Sequence, residues 1–109
     1  FHFEAKEMDE HGWVVGFGDL KKLEKYLLDM YDHTMIIAED DPELSTFQEL
    51  HDKGLCDLRI VPEASLESSA KMALEKANEI LLEMTSGRAR CFEVEAREND
   101  KNSAIFSLK

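Results

Sequence analysis

Cysteine, proline and cations are scarce in this chain, and each scarcity removes a class of function. Only Cys56 and Cys91 are present, without the paired spacing of a zinc knuckle. They specify neither a disulfide framework nor a Cys-based metal site, and two reduced thiols in a cytoplasmic protein are expected. No apolar run approaches the roughly 20 residues that cross a bilayer, and no secretory signal pattern is seen, so no membrane partner is expected. The 13 Lys and Arg face 24 Asp and Glu, a net charge of −11. Such an envelope repels a nucleic-acid duplex and excludes it as partner, while a small anionic substrate on a local basic cluster is still allowed. Linkers, internal repeats and low-complexity segments are lacking too.

What remains is the composition of a soluble globular chain, and 109 residues make one domain, 1–109, with room for a core. The chain opens on Phe1 rather than Met, already alternating apolar Phe1, Phe3 and Ala5 with His2, Glu4 and Lys6. That period is a half-buried strand met in progress, as though its beginning were absent. After a polar turn ending in Gly12, "WVVGF" predicts a second strand, paired with the first as a hairpin.

From Asp19, a candidate N-cap, Leu20, Leu23, Leu27 and Met30 follow a helical period that predicts a helix to about Asp29. "TMIIA" is a short apolar run. A second helix, with Leu44, Phe47 and Leu50 as its buried stripe, is punctuated by Pro42 and Gly54. "DLRIV" is a strand-like link. A long helix from about Ser65 to Thr85 ends at Gly87, and two strands around "ENDKN" close the chain. The order predicts an α+β fold, a four-stranded antiparallel sheet with its helices on one face. Its two free edges invite closure into an oligomeric barrel.

Few residues carry obvious chemistry. Asp32 and His33 are adjacent just before an apolar run. They either end a helix or hold a proton for acid–base work, since a carboxylate raises the proton affinity of a neighbouring imidazole. Glu98 lies where the last hairpin turns; it is either a solvated turn residue or an acceptor for two parallel N–H donors of a flat heterocycle. Ser65 and Glu67 read as an N-cap and a favourable charge at a helix start, which is also compatible with ligand contact. His2, His11 and His51 are scattered, with no H-x-H or HExxH spacing, and Glu39, Asp40 and Asp41 lack the spacing of a calcium loop.

Taken in order, "GWVVGFGDLKKLEKYL", "YDHTMI", "ASLESSAK" and "FEVEAREN" resemble motifs of the 6-pyruvoyltetrahydropterin synthase / 6-carboxytetrahydropterin synthase family. The family versions are G-x-V-x-D-F-x-x-L-K, L-D-H, P-T-x-E-N and V-x-V-x-E-T. Gly16, Tyr31, Ala64 and Asn99 stand where the family has Asp, Leu, Pro and Thr. The resemblance implies the tunnelling fold, ββααββ, assembled as a homohexamer or another barrel-forming homo-oligomer. It places the family's three zinc-binding His and its Cys before Phe1, so an N-terminal segment is expected to be missing.

By this resemblance Asp32 and His33 correspond to a proton relay, Glu98 to a pterin anchor, and Glu67 with Ser65 to the helix-start motif near the pterin pocket. The implied activity is a zinc-dependent lyase acting on 7,8-dihydroneopterin triphosphate. The product is 6-carboxy-5,6,7,8-tetrahydropterin, on the route to 7-deazaguanines such as queuosine, or 6-pyruvoyltetrahydropterin. The rival reading is a non-catalytic pterin- or purine-binding protein of the same fold.

Overall fold

Ser65 starts the longest helix, α3 (Leu66–Thr85). Its backbone is extended and its hydroxyl accepts the Ser68 N–H at 3.0 Å, satisfying one of the amides a helix start leaves free. Ala70, Ala73, Leu74, Ala77, Ile80 and Leu81 form the buried stripe of α3. The helix stops where Ser86 and Gly87 turn left-handed, φ 52° and 84°.

The computed structural model describes residues 1–109 apart from the side chain of Asp19. Beneath α3 lies an antiparallel sheet in the order β1 (His2–Ala5), β4 (Ala89–Arg97), β5 (Ser103–Ser107). The small side chains of α3 bring it close to β4. Leu81 and Cys91, one from each element, are the largest fully buried side chains. Burying a leucine contributes roughly 1.5–3 kcal/mol, so this seam is a principal source of stability. Where β4 has run past its pairing with β5, Asn78 takes over the role of a neighbouring strand. Its amide donates to the Cys91 carbonyl at 2.9 Å and accepts the Cys91 N–H at 2.7 Å. Helix α1 (Lys21–Tyr31) packs on α3 through buried Leu23, with Tyr26 and Leu27 beside it.

A second layer is a β–α–β unit. Strands β2 (Met35–Ala38) and β3 (Leu58–Val61) pair in parallel, joined by α2 (Leu44–Asp52). The stripe Leu44, Phe47, Leu50 is only half-buried, and among the described residues α2 buries no side chain fully.

The fold is α+β with three α-helices and an antiparallel sheet, and two expectations are corrected. "WVVGF" is not a strand: β1 pairs with β4 instead, so the antiparallel sheet has three strands among the described residues, not four. Side chains supply the reason. Arg88 donates to the carbonyls of Glu7 at 2.7 Å and Val14 at 2.7 Å, and Asp9 accepts the N–H groups of His11 and Trp13, both at 2.9 Å. These bonds satisfy loop backbone groups that a strand would spend on a ladder. The first α-helix begins at Lys21, behind a 3₁₀ turn at Phe17–Leu20, and runs to Tyr31 rather than Asp29. The cap expected of Asp19 lies outside the described side chains. No helix is long and apolar enough to cross a membrane.

Candidate functional site

The site is built where the start of α3, the end of α1 and the end of β4 meet. Ser65 is placed there by its capping role, Tyr31 as the last residue of α1, and Glu98 as the residue after β4. The Glu98 backbone is fixed by the hairpin: its N–H donates to the Asn102 carbonyl at 3.0 Å. Asn99 Oδ1 accepts the N–H groups of Lys101 and Asn102, each at 2.9 Å, which holds the turn closed.

A cavity of about 710 Å³ opens between these elements, within the range usual for a small-molecule site. Leu27, Ile36, Ala73 and Val94 give it apolar walls, while Tyr31, Ser65, Ser69, Glu95, Arg97 and Glu98 supply polar groups. Arg97 Nε donates to Glu95 Oε1 at 3.0 Å, which neutralises one carboxylate. Among the described residues no hydrogen bond or ion pair engages the Glu98 carboxylate. The cavity therefore carries an uncommitted anionic acceptor beside apolar walls, an arrangement suited to a flat, uncharged ligand with paired N–H donors.

Of the residues singled out from the sequence, Ser65 and Glu98 share this cavity, and Glu67 is exposed outside it. Asp32 and His33 do not line it. They are paired with each other, His33 Nδ1 lying 2.9 Å from Asp32 Oδ1, immediately beyond Tyr31. Asp32 is also the C-cap of α1, its N–H bonded to the Leu28 carbonyl at 3.0 Å, so the pair does terminate a helix. His33 has φ 56°, a left-handed conformation uncommon outside glycine. Its side chain is 91% exposed and that of Asp32 57%, so within one chain the imidazole faces solvent. Tyr31, Ser69, Glu95 and Arg97 were not singled out from the sequence. The only signal was adjacency, since Tyr31 abuts Asp32, and Glu95 and Arg97 precede Glu98 by three residues and one.

Burial sets the thiols apart. Cys91 is buried, which pushes its pKa up and keeps it protonated, whereas Cys56 is half-buried. Zinc, implied by the resemblance, is not matched by the donor set. Among the described residues no group of three or more His, Cys, Asp or Glu side chains stands together to hold a metal ion.

Comparison with known proteins agrees with this architecture. The family model described as 6-pyruvoyl tetrahydropterin synthase matches residues 1–109. No curated protein matches the chain. Among solved structures, the crystal structure of uncharacterized protein WS1659 from Wolinella succinogenes superposes with a TM-score of 0.82 at 20% identity, over 98% of this chain and 73% of that one. At that identity the likeness shows the fold alone.

Proposed function

The chain belongs to the 6-pyruvoyl tetrahydropterin synthase family, and we propose that within it the protein is a lyase acting on 7,8-dihydroneopterin triphosphate. On this reading it is a 6-carboxy-5,6,7,8-tetrahydropterin synthase-like enzyme serving 7-deazaguanine biosynthesis. The observation that supports it is the uncommitted carboxylate of Glu98 on the same cavity as Ser65. That carboxylate would accept two parallel N–H donors from the pyrimidine edge of the pterin. Leu27, Ile36 and Val94 would cover its faces, and the Ser65 hydroxyl, already accepting the Ser68 N–H, keeps its own proton to donate.

His33 supplies proton transfer. A neutral imidazole that donates Nδ1–H to Asp32 leaves Nε2 as an acceptor, suited to taking and returning protons at the side-chain carbons while triphosphate departs. Because His33 faces solvent in one chain, a neighbouring copy would bring it to the cavity. The homo-oligomer, a homohexamer or another closed barrel, would form through the outer edges of β1 and β5. No step is assigned to zinc, for which the described residues offer no donor set.

That same lack of a donor cluster favours a second reading, a pterin- or purine-binding protein of the family without turnover. Incubation with 7,8-dihydroneopterin triphosphate, with and without added Zn²⁺, followed by chromatography separates the possibilities. Formation of 6-carboxytetrahydropterin supports the first reading, 6-pyruvoyltetrahydropterin its sister activity, and unchanged substrate with bound pterin the second.

A further inference from the structure

The aromatic wall of the cavity comes from Tyr31 and Phe1. Phe1 is the first residue described and 41% exposed, whereas Tyr31 is half-buried and held in the last turn of α1. Tyr31 is also tethered through its neighbour Tyr26. The Tyr26 phenol is pushed up in pKa chiefly by burial, with the phenol of Tyr31 adding to the shift, so the two hydroxyls lie near one another. Lys76 Nζ stands 5.7 Å from the Tyr26 ring, fixing that ring from the α3 side. A ring anchored in this way has little rotamer freedom left to lose when a ligand arrives.

We propose that Tyr31 is a ligand-contacting, specificity-determining residue of this cavity: its ring is the face on which a flat heterocycle stacks, while Glu98 holds that heterocycle by its polar edge. The inference rests on the pterin reading above and adds to it the residue that selects a planar aromatic ligand over a saturated one. An aliphatic side chain at position 31 would still close the wall but would offer no π-face.

The test is a titration of neopterin, followed by its fluorescence, against the full-length wild-type chain and the Tyr31→Leu, Tyr31→Phe and Glu98→Gln variants. Circular dichroism of each variant confirms its fold. Tyr31→Leu is expected to raise Kd about tenfold, in line with an aromatic stacking contribution, and Tyr31→Phe to restore affinity to within about threefold of wild type. A purely structural role predicts no such rescue pattern, because Phe and Leu would both fill the wall. Weakening by Glu98→Gln with no change in Tyr31→Leu overturns the role of Tyr31 and leaves the pterin site standing. Equal losses in Tyr31→Leu and Tyr31→Phe overturn the stacking role. Absence of neopterin binding to wild type overturns the pterin reading and the Tyr31 proposal with it.

Discussion

His33 holds Asp32 through a 2.9 Å contact between Nδ1 and Oδ1 while its own backbone sits in the left-handed region at φ 56°. A non-glycine residue there costs of order 1 kcal/mol or more and persists where the surroundings impose it. The contact fixes which imidazole nitrogen is free and directs it outward. His33→Ala is expected to leave neopterin affinity within about twofold while lowering the turnover of dihydroneopterin triphosphate roughly 100- to 10,000-fold. Binding titration alongside single-turnover kinetics checks this, and a variant with full turnover removes the relay.

Asn78 substitutes for a missing strand at Cys91. Asn78→Ala leaves a buried N–H and a buried carbonyl without partners, at a cost of about 2 kcal/mol. For a chain of this size the expected fall in Tm is roughly 10 °C, measured by thermal unfolding. A shift of a degree or less would mean that water replaces the amide.

Much of this architecture was legible because its signals are local. The stripe of α3, its Ser65 cap and the β4–β5 hairpin are written in spacing and turn residues within one short window each. The failures are non-local. "WVVGF" has strand-forming residues, yet Arg88, more than 70 positions away, takes two of that loop's carbonyls. The parallel register of Met35 with Leu58 likewise cannot be read from two four-residue apolar runs. Among site residues, Ser65 and Glu98 were visible as chemistry, but their meeting on one cavity is a tertiary fact. Tyr31 looked like an ordinary apolar helix position.

The two thiols should separate cleanly. Cys91 is fully buried and kept neutral, Cys56 only half-buried, its Sγ 3.9 Å from the Phe47 carbonyl. A thiol reagent added to native protein is expected to label Cys56 first and to reach Cys91 only on unfolding. Mass spectrometry of the labelled peptides reads the order directly. Prompt labelling of Cys91 would contradict the α3–β4 packing.

Glu4 ties the sheet to the C-terminus. Its carboxylate accepts from Lys109 Nζ at 2.7 Å and Arg90 Nε at 2.6 Å, and these bonds hold its pKa below the ordinary 4.5. A depressed carboxylate stabilises above its unfolded pKa, and that contribution is lost as pH falls through the folded one. Wild type should therefore exceed Glu4→Gln in stability at neutral pH. The gap is expected to shrink as pH drops below 4.5, as followed by urea unfolding at several pH values. A gap that is constant with pH would rule out an ionic origin.

The central claim is that Glu98 grips a pterin by its N–H edge, and the most direct measurement is the neopterin Kd of wild type against Glu98→Gln. Loss of a charge-assisted, two-bond acceptor predicts a rise in Kd of roughly 10- to 100-fold, with circular dichroism unchanged. An identical Kd for the two proteins would contradict the account.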